Sequence, residues 1–231
     1  MSVSAVVLAA GKGRRFRSKI PKPFVCLGGK PVIGYCLEVF RRRKEISEII
    51  VVVPARLKAE ARRFLAEEGL PEAKLVAGGE RRQDSVSNAL KVIDPRSELV
   101  LIHDGVRPFV TGALVAKLIT EARASGAACL AVPAKSTIKS VKRRARRLVV
   151  TRTLDRGSLW ETQTPQVFEK GLLCEAYRRH GKQSVTDDAS LVERLGHQVT
   201  VVKGEYSNIK ITTPEDLAVA EALLKIRKSS S

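Results

Sequence analysis

Aromatic residues are scarce in this chain of 231 residues: Phe, Trp and Tyr make up 4% of it, although 44% is hydrophobic. A core drawn from that composition rests on Val, Leu, Ile and Ala, which suits parallel strands covered by helices. Cysteine is also sparse. Cys26, Cys36, Cys129 and Cys174 are scattered and form no CxxC pair, which argues against a disulfide framework or a cysteine zinc site. Buried free thiols are the expectation. His103, His180 and His197 lie far apart, so a metal cluster is not expected. No apolar run approaches the roughly 18 residues that span a bilayer, and Met1 leads straight into a strand-like run rather than a secretory signal. A cytoplasmic protein with no membrane partner is expected. Acidic residues are in short supply as well: 24 Asp and Glu face 42 Lys and Arg, a formal charge of +18. That excess suits either a surface for nucleic-acid phosphates or a small polyanionic substrate on a basic protein. Its two local concentrations, Arg41–Lys44 and Lys142–Arg147, are not interleaved with aromatics, so base stacking is unsupported and both read as solvated faces.

Read in order, the chain alternates. Val3 to Leu8 is a buried strand entering Ala9-Ala10-Gly11, and Val32 to Arg43 is a helix. Ile49 to Val53 is an apolar strand ended by Pro54, and Leu57 to Glu68 is a helix stopped by Gly69. A short strand, Leu75-Val76, precedes Gly78-Gly79, and Asp84 to Val92 can form a helix. Leu99 to Ile102 is a strand ending at His103-Asp104, Leu114 to Ala124 is helical, and Ala128 to Val132 is a strand closed by Pro133. Such alternation predicts an α/β fold with a doubly wound, mostly parallel, Rossmann-like sheet. Ligands bind such sheets at the carboxyl ends of strands, so Gly11, Gly78-Gly79 and Asp104 share one edge.

From Ala134 to Asp155 the alternation breaks. Thr137–Val141 and Leu148–Thr151 read as hairpin strands, with the mostly basic residues 142–147 as a tip in water. Residues 134–155 are thus expected to form a β-arm projecting from a single domain spanning 1–231. Helices follow near Gly171–Arg179 and Asp187–Leu195, with a strand at Val199–Val202. Thr213 and Pro214 are the N-cap and first position of a helix running to about Arg227.

The stretch from Ala9 to Lys22 reads as a site for a nucleoside triphosphate. Small residues at a strand end let backbone N–H groups curl around an anion. The motif is neither a Rossmann fingerprint nor a P-loop. Pro23 disfavours the α region for the residue before it, which places Lys22 on a stiff, extended segment. A cation held that way, ~4 Å from a phosphate at an effective dielectric near 20, contributes on the order of 4 kcal/mol before desolvation is subtracted. Stabilising charge that grows on an α-phosphate is a task suited to it. Gly78–Ser85 is a second glycine turn before a helix. Asp104 stands at a strand end, where an acid can hold a metal or a substrate hydroxyl, and Lys210 lies just ahead of a capped helix.

These pieces resemble the cytidylyltransferases that activate 2-C-methyl-D-erythritol 4-phosphate in the non-mevalonate route to isoprenoids. The ordered motifs are Ala9–Arg15, Pro21-Lys22, Gly78–Ser85, His103–Pro108, Asp155-Arg156, Gln163–Gln166, Thr186–Ser190 and Asn208–Lys210. The resemblance implies a sheet of the nucleotide-diphospho-sugar transferase type. It makes Arg15 and Lys22 transition-state stabilisers as a phosphate oxygen of the acceptor attacks the α-phosphate of CTP, and Arg156 and Lys210 the residues that position the attacking phosphate. Asp104, Arg107, Thr137, Thr164 and Thr186 would hold the acceptor, a polyol phosphate. The backbone of Ala9, Ala10, Gly11 and Gly13, with Gly79 and Ser85, would hold the nucleotide. Mg²⁺ would sit mainly on the triphosphate, with Asp104 a candidate further ligand. The family's arm crosses a homodimer, so Thr137 and Arg156 would complete the partner subunit's site. Two departures stand out: Glu80 replaces an Asp found in some members, and Gly105-Val106 replaces a pair often written as alanines.

Ribitol 5-phosphate cytidylyltransferase is the rival within the same chemistry, sharing the loop, Thr-Pro-Gln and Asn-Ile-Lys; the segment from Thr186 to Glu193 favours methylerythritol phosphate. A basic nucleic-acid-binding module is the rival from another class. It would leave the loop, Lys22 and Lys210 without a common purpose, so no nucleic-acid partner is expected.

Overall fold

The structure, a computed structural model, describes residues 2–11 and 22–229. A buried apolar run, Val3–Leu8, forms β1. A 3-10 turn at Lys22–Phe24 and a short ribbon of β2 (Cys26–Leu27) and β3 (Lys30–Pro31) lead into α1 (Val32–Arg41). Then come β4 (Ile46–Val53), α2 (Lys58–Glu67), β5 (Lys74–Ala77) and α3 (Arg82–Leu90). The alternating part closes with β6 (Leu99–Asp104), α4 (Gly112–Ser125) and β7 (Ala127–Pro133). Beyond it lie a hairpin of β8 (Lys139–Arg144) and β9 (Arg147–Thr153), then β10 (Trp160–Glu169). The last elements are α5 (Lys170–His180), α6 (Ala189–Glu193), β11 (Thr200–Lys203) and α7 (Pro214–Ser229).

Seven strands form one sheet in the order β11-β7-β10-β6-β1-β4-β5. Every pairing in it is parallel except the two made by β10. Side chains alternate between faces along each strand, and the core divides accordingly. Val3, Ala5 and Val7 of β1 and Leu99 and Leu101 of β6 pack with Ile33, Leu37 and Leu118 on one face. Val6, Val100 and Ile102 pack with Val86, Leu173 and Leu191 on the other. A side chain such as Leu101, with no exposed surface, contributes about 2 kcal/mol relative to exposure. The expected doubly wound, mostly parallel α/β sheet is the one observed.

A third cluster of Leu27, Val32, Phe109, Ile211, Ala220 and Leu224 pins α7 beside α1. The expected cap of α7 is present. The Asp216 N–H donates to Thr213 Oγ1 at 3.4 Å, while the Asp216 carboxylate accepts from the backbone N–H groups of Thr212 and Thr213 at 2.7 and 2.9 Å. The chain just before the helix, including Lys210, is thereby held in place.

Several local expectations need correction. The sequence pattern does not announce β10 as a strand, because Pro165 and its polar neighbours mask it. Proline lacks a ladder donor and survives in sheets at bulges or edges, and the β10–β7 register shifts between Thr162 and Gln166, across Pro165. The hairpin strands run further than expected: Lys142–Arg144 and Arg147 belong to them, and the turn shrinks to Ala145-Arg146, with Ala145 at φ +52. Long basic side chains tolerate strand backbone where both faces are in water. Cys36 and Cys129 are buried as expected, but Cys26 and Cys174 are exposed, on the β2 ribbon and the outer side of α5. Among the described residues no helix is long and apolar enough to cross a membrane.

Candidate active site

Backbone hydrogen bonds continue past the ends of the strands and gather the turns at one edge. The Ala9 N–H donates to Val52 O at 2.8 Å, Gly78 N–H to Val53 O at 2.8 Å and Gly105 N–H to Leu8 O at 2.9 Å. This close approach requires glycine at two positions. A Cβ on Gly78 would lie 2.2 Å from the Ala10 Cβ, and one on Gly79 would lie 2.3 Å from the Asp84 Cβ. Ser85 Oγ accepts from the Gly79 N–H at 3.1 Å, and the Asp84 carboxylate accepts from the Arg81 N–H at 3.0 Å. The turn into α3 is therefore rigid, with the Ser85 hydroxyl spent on the turn itself. The expected nucleotide residues Ala9, Ala10, Gly11, Gly79 and Ser85 all line one cavity of about 240 Å³.

Gly13, Arg15 and the side chain of Lys22 lie outside the described residues. The backbone at Lys22 corrects one expectation: it enters a 3-10 turn, Lys22–Phe24, rather than an extended segment. The fixed φ of Pro23 suits such a turn as well as an extended chain. Pro23 lines the same cavity, and Phe24 anchors the turn by an edge-on contact with Phe64, centroids 5.8 Å apart.

A second cavity, of about 390 Å³, adjoins the first and is lined by Arg107, Thr164, Thr186, Asp187 and Ser190 among others. Three residues line both: Arg82, Asp104 and Lys210. Asp104, the last residue of β6, is the acid in this shared wall. Lys210 Nζ lies 2.8 Å from its Oδ2, Arg82 Nε 3.5 Å from its Oδ1, and Arg107 Nε 3.8 Å from its Oδ2. Burial by itself would raise the Asp104 carboxyl, but Arg82, then Lys210 and Arg107, outweigh it and hold the group well below the usual carboxylate range. It is ionised across the working pH range, and its charge keeps three mutually repelling cations close together.

Asp104 is itself held from behind. Thr164 Oγ1 accepts from the Asp104 N–H at 3.0 Å and lies 3.2 Å from His103 Nδ1. His103 Nε2 lies 3.1 Å from the Arg107 carbonyl, which can only accept. The ring is then protonated on Nε2, and Nδ1 accepts from the Thr164 hydroxyl. Burial pushes the imidazole down from 6.5 to about 4, so it is neutral. Thr164 lines the second cavity, with its hydroxyl engaged inward. Asn208, fully buried, ties the later motifs together: its amide donates to Gln163 Oε1 at 3.2 Å and Thr164 O at 3.0 Å, and its backbone carbonyl accepts from Arg107 Nη1 at 2.7 Å.

Thr137 and Arg156 stand apart. Arg156 Nη1 donates to the Lys135 carbonyl at 2.9 Å, and the Leu154 N–H to Ile138 O at 3.0 Å, so the two residues share the base of the β8–β9 hairpin. Neither lines the two cavities of its own chain. Arg82 is itself part of the Gly78–Ser85 motif, yet the sequence assigns it no role; Asp188 and Gln166, both buried, are likewise silent within their motifs. Among the described residues no group of three His, Cys, Asp or Glu side chains is placed to hold a metal ion.

Two cavities meeting at a cationic wall, above the carboxyl ends of a doubly wound sheet, define the class: an α/β transferase built to handle phosphate groups. The family model for IspD, 2-C-methyl-D-erythritol 4-phosphate cytidylyltransferase, matches residues 3–226. The chain is 46% identical over 229 residues to the enzyme of that name from Bacillus velezensis, covering 97% of each chain. It is 45% identical over 231 residues to the one from Geotalea uraniireducens, again covering 97% of each. The crystal structure of 4-diphosphocytidyl-2C-methyl-D-erythritol synthase from Anaerococcus prevotii superposes with a TM-score of 0.85 at 38% identity, over 97% of this chain and 96% of that one. That of the Thermus thermophilus cytidylyltransferase gives 0.77 at 35% identity, over 95% and 98%. The chain belongs to the 2-C-methyl-D-erythritol 4-phosphate cytidylyltransferase family.

Proposed function

We propose that the protein transfers CMP from CTP to 2-C-methyl-D-erythritol 4-phosphate, giving 4-diphosphocytidyl-2-C-methyl-D-erythritol and pyrophosphate. The observation that carries this reading is the wall of Arg82, Asp104 and Lys210 shared by a cavity lined by the turns at Ala9–Gly11 and Gly79 and a cavity lined by Arg107, Thr164, Thr186 and Asp187. The nucleotide occupies the first, with its base and sugar against Ala9–Gly11 and Gly79, and the acceptor the second, against Asp104, Arg107, Thr164 and Thr186. An acceptor phosphate oxygen attacks the α-phosphorus, the bond from that phosphorus to the β-phosphate oxygen breaks, and pyrophosphate leaves. No general base is needed, because the acceptor is already anionic. Arg15 and Lys22 stabilise the charge gathering on the α-phosphate, while Lys210 and Arg156 steer the attacking phosphate.

Magnesium carried on the triphosphate oxygens would neutralise the leaving group's charge. Support for that placement comes from Asp104, whose oxygens already face Lys210, Arg82 and Arg107, so that it is a poor seat for a separate ion. We further place the protein in the cytoplasm and read it as a homodimer joined through the hairpin. Cross-strand pairs share a face, so Val141, Val150 and Leu148 lie together on one side of β8–β9, each more than half exposed. Apolar side chains presented that way call for a partner surface. A second copy seated there would bring Thr137 and Arg156 to the neighbouring acceptor cavity.

Purified protein given CTP, Mg²⁺ and methylerythritol phosphate is expected to release pyrophosphate, and to do so much faster than with ribitol 5-phosphate. The reverse preference would sink this reading, and release with neither acceptor would sink the chemistry.

A further inference from the structure

Arg82 is shared between two acids that lie far apart in the chain. Its Nη1 is 2.7 Å from Asp188 Oδ2, and its Nε is 3.5 Å from Asp104 Oδ1. Asp188 has no exposed surface. Its other oxygen accepts from the Tyr177 hydroxyl, and its backbone N–H donates to Gln166 Oε1 at 3.2 Å. Gln166 Nε2 in turn donates to Asp187 Oδ2 at 2.8 Å, so the segment bearing Thr186 and Asp187 is fastened to β10. Asp188 thus sits behind the acceptor cavity, held by Tyr177 and Gln166, with its carboxylate aimed at Arg82.

Coulomb attraction falls with separation, so a single guanidinium between two carboxylates is divided by distance. Arg82 lies closer to Asp188 and meets Asp104 through Nε on Oδ1, while Lys210 Nζ lies 2.8 Å from Oδ2. With the charge of Asp188 removed, Arg82 would close on both oxygens of Asp104 and compete with Lys210 for Oδ2. Lys210 would then lose its anchor at the point where the two cavities meet.

We infer that Asp188 is a positioning residue for the transfer: by holding Arg82 to one oxygen of Asp104, it reserves the other for Lys210 and so sets the cation that meets the acceptor phosphate. The inference rests on reading the second cavity as the acceptor's. Asp188→Asn keeps the shape and the Tyr177 contact while removing the charge. It is expected to raise the KM for methylerythritol phosphate about tenfold, as for a broken contact inside a coupled network, with the Kd for CTP changed less than twofold. Arg82→Gln with Asp188→Asn is expected to behave like Arg82→Gln alone, since both act through one contact. Should Asp188→Asn fail to fold, Tyr177→Phe loosens the same carboxylate and is expected to raise the acceptor KM by about threefold. Unchanged acceptor constants, equal losses for both substrates, or additive effects in the double variant would overturn the role of Asp188. Wild-type protein run alongside keeps the two readings apart: its failure to turn over methylerythritol phosphate overturns the acceptor assignment, whereas normal wild-type turnover confines any failure to Asp188.

Discussion

The two halves of the site are built by different means. The half proposed for the nucleotide is made of turns: Gly78 presses on Ala10 and Gly79 on Asp84 so closely that a side chain on either glycine would clash. The half proposed for the acceptor is made of charged side chains from β6, α3, the start of α6 and the approach to α7, held at fixed distances by pairing with one another. Steric crowding therefore governs the first half, and a balance of charges governs the second. A substitution in one should fail in a way the other does not.

The largest expected effect tests where the halves meet. Lys22→Ala should lower kcat about a thousandfold or more if its charge acts in the transition state, while circular dichroism and the Tm stay near wild type; near-normal turnover would remove Lys22 from that role. Mixing equal amounts of Lys22→Ala and Arg156→Ala chains sharpens the test, because random pairing in a dimer with composite sites leaves about a quarter of the sites intact. Recovery of no activity on mixing would place both residues in one chain's site. Next in size is Gly78→Val. A side chain there meets Ala10, and a displacement near 1 Å in the nucleotide turn should weaken CTP binding about a hundredfold, whatever the salt concentration, as calorimetry would show. Salt-sensitive loss instead would mean that charge, not crowding, shapes this half.

The smallest effect concerns the support behind Asp104. His103 is buried and neutral, its pKa pushed down from 6.5 to about 4. Between these values the unfolded chain binds a proton that the folded chain does not, so stability is fully present above about pH 6.5 and falls as the pH drops towards 4. The loss is about 3 kcal/mol at most. Thermal melts across this window should slope downward on acidification for wild type and less steeply for His103→Gln. Equal slopes would mean that another group titrates there.

The same division explains what could be read without coordinates. The doubly wound sheet was legible because β4, β6 and β7 carry unbroken apolar runs and that of β1 is broken only by Ser4, and Gly11, Gly79 and Asp104 were legible because each comes at the end of an expected strand. Lys210 stood out only through the family resemblance, whereas the cap at Thr213 was visible from local chemistry. β10 was not, since Pro165 breaks the pattern of a strand and only the register shift beside it makes room. The exposure of Cys26 and Cys174 depends on which way short elements face. The link between Arg82 and Asp188 was invisible for a plainer reason: both residues sit in recognisable motifs, yet only the fold, which ties the start of α3 to Gly181 and Lys182 beyond α5, brings them within 2.7 Å.

Strand order also carries a meaning in time. β6 and β7 are not bonded to one another; β10, emerging from the ribosome well after both, is the strand that joins them. Until it inserts, the nascent sheet consists of β6-β1-β4-β5 on one side and an unpaired β7 on the other. Contacts of such long sequence separation form late and slowly. The glycine turns after β1 and β5, carried wholly by the first group, can take shape during synthesis, whereas the Thr164 clasp on Asp104 is among the last parts to arrive.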